Sequence, residues 1–535
     1  MARNKHANYL LLSALSALFF ILAYQPFYVL PLIFIGFVPL FMLERKISMQ
    51  EENSYAWLFL YAWLTFLLWN IGSVWWIWNA SAGGAIAAFI INSLPMVLPL
   101  LLFHGRNRLN RKSNYIFFAA CWLSIEYLQF HWDLAFPWLI LGNVFSYIPV
   151  LAQWYEITGV LGGSLWIILV NIAIDKLLLD WPNLPIAIRK QQLLNKVFLY
   201  LLAPIFLSFY LLNALSTQST RKIDMVLVQP NFDPYTDKFG GINEVDQLSK
   251  MLQLAEQKID GKVQYVVLPE TALQGMLLEN NLSAEPLIAQ LKDFLKAYPH
   301  LVIVAGMDSY YEYSATEKRG FAARKFKNAD AYYEVYNAAL QINSYDSIQI
   351  YHKSKLVPGV EKMPYPQLFK FLESYAIDMG GTAGSLAQDK ESKVFNSYHK
   401  TTIAPIICYE SVFPDFIASY VRKGADILCI MTNDGWWGNT PGYRQHFDFS
   451  RLRAIENRRA IARTANTGIS GFIDREGSVL AESAYWEDTV LRQAIPVYTE
   501  QTFYTKYGDW LSYIFLFIAI SDSFTLFLKR KTRTI

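Results

Sequence analysis

Eight apolar runs, each long enough to cross a bilayer, set the limits on what this chain can fold into. A spanning helix needs roughly 20 consecutive apolar residues, and runs of about that length stand near 8–24, 27–43, 55–79, 84–104, 115–132, 157–179, 196–217 and 508–528. Backbone amides inside a bilayer have no water to bond, so each run must close its hydrogen bonds within a helix. Composition agrees: 53% of the residues are hydrophobic and only 17% charged, where a soluble domain carries about 25%.

Charge orients the runs. Arg3 and Lys5, then Arg45 and Lys46, then Arg106, Arg108, Arg111 and Lys112, then Arg189 and Lys190, and finally Lys529, Arg530, Lys531 and Arg533 fall on one side, while the loops at 25–26, 80–83 and 133–156 hold no Lys or Arg. This positive-inside pattern puts both termini in the cytoplasm. It predicts a membrane domain with seven helices over 1–219, a polar domain facing outward over 220–505, and an eighth helix with a basic tail over 506–535. A cleaved leader would suit the basic start, but no small-x-small site follows Ala23, so the first run is read as a retained span. The net charge of +3 is too small to imply nucleic acid. No glycine-rich phosphate loop or zinc-type Cys/His spacing stands out.

The polar insert changes period. Val226–Val228, Val263–Leu268, Leu301–Val304, Ala338–Ile342, Ile348–Ile350, Thr402–Ile407 and Ile427–Met431 read as strands, and Gln247–Ile259, Ala284–Ala297, Pro414–Lys423 and Arg444–Ala462 as helices. Strands interleaved with helices predict a layered α/β domain.

Three segments in the insert carry reactive groups at strand ends: Leu268-Pro-Glu-Thr-Ala272, Tyr351-His-Lys-Ser-Lys-Leu-Val-Pro358 and Ile406-Ile-Cys-Tyr-Glu-Ser411. Cys408 follows a fully apolar strand, where a turn can present a thiol; the plain alternative is a small core residue. Cys121, in the fifth run, and Cys429, in mid-strand, fit that alternative better, and a Cys408–Cys429 disulfide stays open. Glu270, after a strand and a proline, suits proton transfer or a helix N-terminus. Lys353 suits thiolate and oxyanion stabilisation, or plain exposure. A carboxylate, an ammonium and a thiol together suggest covalent acyl chemistry.

In order and spacing these three resemble the Glu-Lys-Cys set of the nitrilase superfamily over about 221–500. With the apolar runs, the whole chain resembles the apolipoprotein N-acyltransferase family. The matching signatures are Val228-Gln-Pro-Asn231, Pro269-Glu-Thr-Ala272, Lys353-Ser-Lys-Leu-Val-Pro358 with Glu361 eight residues after the lysine, Cys408-Tyr-Glu410, Thr432-Asn-Asp-Gly-Trp-Trp-Gly438, Phe136-Pro-Trp-Leu139 with Gly142, and Arg451-x-Arg453-Ala-x-Glu456. Departures are Val357-Pro-Gly-Val-Glu361, where the family usually has Val-Pro-Phe-Gly-Glu, Leu268 in place of a common tryptophan, and Asp233-Pro-Tyr-Thr-Asp237 after the Gln-Pro motif.

The resemblance implies a nitrilase-like α-β-β-α sandwich inserted between the seventh and eighth of eight membrane helices. It makes Glu270 the general base, Lys353 the oxyanion stabiliser and Cys408 the nucleophile, with Glu361, Tyr409 and Glu410 accessory. It further implies a bacterial inner-membrane enzyme with a periplasmic catalytic domain, a phospholipid acyl donor, an S-diacylglyceryl apolipoprotein acceptor, no cofactor or metal, and a monomer in the lipid bilayer. Trp436, Trp437 and Tyr443 in one loop, and Tyr365, Phe369, Phe371 and Tyr375 in another, suit a lipid-facing lid or a buried aromatic cluster.

His446 offers a weaker Cys-His alternative. Arginines 451, 453, 458, 459 and 463 suit a solvated helix face, or lipid phosphate. Two rival functions share the outline: a membrane-tethered nitrilase-type amidase using water as acceptor, and a binding or transport protein. For transport the runs lack paired acids, since Glu126 and Asp175 lie near span ends.

Overall fold

The structure, a computed structural model, describes the chain apart from residues 1, 51, 111–113, 184, 186–187, 189–190, 192, 216–220, 240, 366–384 and 534–535. It divides into two compact units: Met1–Trp78 with Ala82–Leu215 and Tyr507–Ile535, and Asn79–Ser81 with Ser216–Lys506.

The first unit is helical. Among the described residues, four helices are long and apolar enough to cross a membrane: Lys5–Ala23, Ser54–Val74, Ala82–Leu109 and Val160–Asp180. Leu199–Ala214 and Trp510–Leu526 are apolar but shorter, and the run at 115–132 yields Tyr115–Gln129. The run at 27–43 does not form one helix. It breaks into a 3-10 helix, Leu30–Ile35, and a helix starting at Val38, because Pro31 and Pro39 each withdraw an amide donor and so favour a helix's first turn. Phe136-Pro-Trp-Leu139 and Gly142 belong to a chain of short 3-10 turns. A Cβ on Gly142 would stand 2.0 Å from the Val160 carbonyl, so only glycine permits this approach. Asp175 takes a bidentate pair from Arg45 at 2.7 and 2.8 Å, and Glu126 accepts from the Leu141 amide at 2.9 Å. Both acids are therefore held by partners within the helical unit.

The second unit is built on two sheets. Its strands are β1 (Lys222–Gln229), β2 (Tyr265–Val267), β3 (Leu273–Leu278), β4 (Val302–Tyr313), β5 (Arg324–Lys325), β6 (Tyr332–Asn343), β7 (Gln349–His352), β8 (Phe395–Asn396), β9 (Thr402–Ile407), β10 (Ile427–Thr432), β11 (Ala460–Ala465), β12 (Gly471–Ile473), β13 (Val479–Glu482) and β14 (Thr489–Pro496). One sheet runs β14-β1-β2-β4-β6-β5, with β3 on β4 and β7 on β6; the other runs β13-β12-β11-β10-β9-β8. Each has a parallel centre, β1-β2-β4 and β9-β10-β11.

The period of two in β1 shows how the layers assemble. Ile223, Met225 and Leu227 pack with Ile403, Ile406 and Ile430 of the other sheet. Val226 and Val228 face the opposite way, onto Leu248, Leu252, Leu291 and Leu295 from helices Glu244–Glu256 and Pro286–Ala297. Helices Pro414–Arg422 and Pro441–Asn457 contribute Ile417, Tyr420 and Ala454 to the core of the second sheet. The result is an α-β-β-α arrangement.

One expected helix is too long. The pattern of Arg444–Ala462 predicts a continuous helix, but the helix ends at Asn457 and Arg458 takes a left-handed φ of 48°. Ala460–Ala465 is then a strand, which carries Arg463 into the core. The arginines correct the solvated-face reading: 453, 458, 459 and 463 are all buried. Arg463 pairs with Asp434 at 2.7 Å and Arg453 with Glu456 at 2.8 Å, while Arg459 donates to the carbonyls of Ala425 and Glu500. A buried guanidinium persists only when so paired.

Candidate active site

The reactive groups stand at the carboxyl ends of β2, β7 and β9. In an open α/β sheet, strand ends are where side chains converge on a crevice. After β2, the Leu268 amide bonds to Val304 O at 2.9 Å and the Gly306 amide to Pro269 O at 3.1 Å, which lays the Pro269–Glu270 turn along β4. Thr271 then turns left-handed at φ 49°.

Lys353 extends β7, its amide bonded to Asn337 O of β6 at 2.9 Å. Its Nζ lies 3.1 Å from Glu270 Oε1 and 2.8 Å from Glu361 Oε1. The Asn337 amide donates to the same two oxygens, at 2.9 and 3.1 Å. The departure at Val357-Pro-Gly-Val-Glu361 is absorbed by Gly359, whose φ of +80° closes the turn, while Glu361 Oε2 accepts from the Val357 amide at 2.7 Å.

Cys408 ends β9 with a left-handed φ of 49° and opens the 3-10 turn Cys408–Val412. A non-glycine residue there costs on the order of 1–2 kcal/mol, a strain that surrounding contacts must hold. Glu410 supplies them. Buried, it accepts from the Ile407 amide at 2.8 Å on one oxygen, and from the Tyr351 hydroxyl at 2.5 Å and the Ser354 amide at 2.7 Å on the other. The donors come from both sides of Lys353 and from the residue before Cys408, so one carboxylate staples the lysine strand to the cysteine turn. The Thr432 hydroxyl, at the end of β10, lies 3.3 Å from the Cys408 sulfur.

Charge sets the protonation states. Burial alone would raise the Glu270 carboxyl, but the Lys353 ammonium, the Asn337 amide and Lys238 outweigh it and hold it below the usual carboxylate range. Burial pushes the Cys408 thiol well up, the Glu270 charge adds to this, and Lys353 opposes it. Burial would lower Lys353, yet the carboxylates of Glu270 and Glu361 keep it firmly cationic. The resting site thus holds a carboxylate, an ammonium and a neutral thiol, each within reach of the others' charge. Such a set can accept a thiol proton and stabilise an oxyanion.

The remaining expected residues are placed as follows. Tyr409 is buried, edge-on to Phe413 at 5.3 Å. Trp436 stacks on Phe239 at 5.9 Å and meets Tyr235 edge-on at 5.2 Å; Trp437 meets His446 edge-on at 5.6 Å. Tyr365 is 36% exposed, whereas Phe369, Phe371 and Tyr375 lie outside the described residues. His446 binds Ser411 and Asp434, both at 2.9 Å, through its two ring nitrogens, so it serves the scaffold around the cysteine turn. All three cysteines are free thiols, which removes the Cys408–Cys429 disulfide.

Lys238, Asn337 and Gly306 were not legible in the sequence. Asn337 and Gly306 sit inside ordinary strands, and the unusual Asp233–Asp237 stretch stops one residue short of Lys238.

Residues 16–173 match the family described as apolipoprotein N-acyltransferase N-terminal domain, and residues 241–504 match the carbon-nitrogen hydrolase family. An apolipoprotein N-acyltransferase of Chlorobaculum tepidum is 30% identical over 498 residues, covering 91% of this chain and 90% of the relative. The chain belongs to the apolipoprotein N-acyltransferase family. Other members of that family align along most of the chain. The Rickettsia typhi protein is 27% identical, over 91% of this chain and 92% of its own length, and the Haemophilus influenzae protein is 24% identical, over 99% and 97%. The crystal structure of a nitrilase-superfamily member from Saccharomyces cerevisiae overlaps 52% of this chain and 92% of its own at 17% identity and a TM-score of 0.37. As a member of the apolipoprotein N-acyltransferase family, the chain is an acyltransferase with a nitrilase-like α/β domain and N-terminal apolar helices.

Proposed function

We propose that this acyltransferase moves a fatty acyl chain from a phospholipid, through a thioester on Cys408, to the α-amino group of the S-diacylglyceryl cysteine that begins a lipoprotein. One observation carries the proposal: Glu270 and Lys353 lie 3.1 Å apart, and Glu410 bonds the residues on both sides of Lys353 to the residue before Cys408.

In the first half-reaction, Glu270 takes the thiol proton as sulfur attacks the ester carbonyl, and Lys353 stabilises the oxyanion. The ester C–O bond breaks and the protonated Glu270 returns its proton to the leaving alkoxide, releasing a lysophospholipid. In the second, Glu270 takes a proton from the acceptor amine as nitrogen attacks the thioester. The C–S bond breaks, the proton returns to the thiolate, and an amide leaves. One base thus serves both halves of a ping-pong cycle. Glu361 and Asn337 hold Lys353 and Glu270 apart at bonding distance, and Trp436, Trp437 and Tyr365 border the acyl entrance.

Both substrates keep their tails in lipid, so confining enzyme and substrates to one surface raises their effective concentration. This favours eight spans, with the sandwich inserted between the seventh and eighth, facing the periplasm of a bacterial inner membrane, and both termini cytoplasmic. The chain works as a monomer and needs no cofactor.

The test is mass spectrometry of the protein incubated with phospholipid, followed by addition of a diacylglyceryl-cysteine peptide. An acyl adduct on the Cys408 peptide that is discharged as N-acyl peptide is the expected result. An adduct on Cys429, or none during turnover, overturns the mechanism; release of free fatty acid alone would make the chain a hydrolase.

A further inference from the structure

The mechanism above uses one ammonium, yet a second is buried beside the base. Lys238 belongs to the loop between β1 and the helix Glu244–Glu256. Asp233 folds this loop onto itself, its carbonyl accepting from the Asp237 and Lys238 amides at 3.0 and 2.9 Å. Gln247 then clamps it, donating to the carbonyls of Lys238 and Ile242, both at 2.9 Å, while Gln274 donates to Gln247 Oε1 at 2.8 Å. Gln274 is four residues after Glu270, so the loop is racked onto the segment that bears the base.

From this rack the Lys238 side chain turns inward. It is 2% exposed, and its Nζ lies 2.7 Å from the main-chain oxygen of Glu270. On the other side of that peptide stands β4: a Cβ at Gly306 would be 2.7 Å from Glu270 Cα and 2.6 Å from the Thr271 nitrogen. The Glu270 peptide is therefore gripped between a strand and an ammonium. A buried ammonium is costly unless something requires it: burial brings Lys238 down to about 8, although the charges of Glu270, Asp308 and Cys408 work against that. The next residue, Phe239, is 51% exposed and forms the stack on Trp436.

We infer that Lys238 is a positioning residue for Glu270: its ammonium fixes the peptide that aims the base, adds a second positive charge to the pocket, and ties the base to the aromatic loop at Phe239 and Trp436. The inference rests on Glu270 being the base. The charged and titratable groups that face Glu270 are Lys353 from the end of β7, Glu361 from the following turn, Asp308 from β4, Cys408 from the end of β9, and Lys238 itself. Of these, only the two lysines favour the ionised carboxylate. Loss of the Lys238 charge must raise the pH at which Glu270 becomes able to accept a proton.

The experiment follows acylation of Cys408 in the full-length protein with phospholipid across roughly pH 3 to 9, a window that reaches the low range of Glu270, for wild type, K238M, K238Q, K238R and E270Q. K238M is expected to acylate about tenfold more slowly, with the acid limb of its rate profile displaced to higher pH. K238Q keeps a donor for the Glu270 carbonyl without the charge, stands in where K238M does not fold, and should show the same displacement. K238R keeps the charge, so its limb stays at the wild-type pH and it recovers part of the rate. An acid limb unmoved in the neutral variants, whatever their rate, overturns the inference. E270Q separates the two claims: near-wild-type acylation in E270Q removes the base itself, whereas an inactive E270Q beside an unmoved limb removes only the role of Lys238.

Discussion

Gly306 passes so close behind Glu270 that a methyl group there would stand 2.7 Å from the Glu270 Cα and an equal distance from the Pro269 carbonyl. Both contacts are with backbone, which cannot swing aside as a flexible side chain would.

Gly306→Ala should therefore push the Glu270 turn off β4. Overpacking of this kind costs about 1–3 kcal/mol, and misplacing a catalytic group by an ångström costs on the order of 10²-fold in rate. A lowered melting temperature together with a loss of Cys408 acylation is the expected outcome; unchanged acylation would show that the turn can move without harm.

Cys408→Ser should abolish the acyl adduct while leaving the fold intact, because the staple around the turn uses the carboxylate of Glu410 and not the sulfur. Activity should fall by on the order of 10³ or more. Intact-mass measurement after phospholipid incubation and a thermal melt check the two halves of this expectation.

Glu410→Ala removes the acceptor for the Ile407 and Ser354 amides and the Tyr351 hydroxyl. Each buried donor left without a partner costs on the order of 1–3 kcal/mol. The variant should melt several degrees lower and also acylate slowly, since the lysine strand and the cysteine turn lose their common anchor. Glu410→Gln, which keeps an acceptor oxygen, should fall between the two.

His352, the residue before Lys353, predicts a pH dependence of stability. Burial would lower its pKa, but hydrogen bonds to Asp389 at 3.1 Å and Glu279 at 2.9 Å raise it to about 9. A histidine whose folded value exceeds its unfolded one, about 6.5, stabilises the fold when protonated. That contribution is complete below pH 6.5 and is lost as pH rises through 9. Thermal melts of wild type should fall across this window, and His352→Gln should start lower and show a flatter slope; equal slopes would show that the His352 cation contributes nothing.

Local pattern carried much of the fold. Apolar length predicted the long helices such as Ser54–Val74, and β-branched runs predicted β1, β9 and β10, because burial of a single element leaves its period in the residues themselves. The candidate site was legible for a related reason: Glu270, Lys353 and Cys408 each follow an apolar strand, and the fold brings the first two within 3.1 Å. Where the period was interrupted, the sequence misled. Ala460–Ala465 continued an apparent helix only because nothing local announces that Arg458 turns left-handed, or that Arg463 will find Asp434 in the core.

What the tertiary structure alone decided is proximity. Glu270 and Lys353 are 83 residues apart, and Glu410 reaches Tyr351 across 59; such approaches depend on strand register and layer packing, which no single segment encodes. Lys238 and Gly306 are the clearest cases. An isolated lysine in a polar loop and a glycine in a strand mean little by themselves, and they stand out only because folding presses both against the Glu270 peptide.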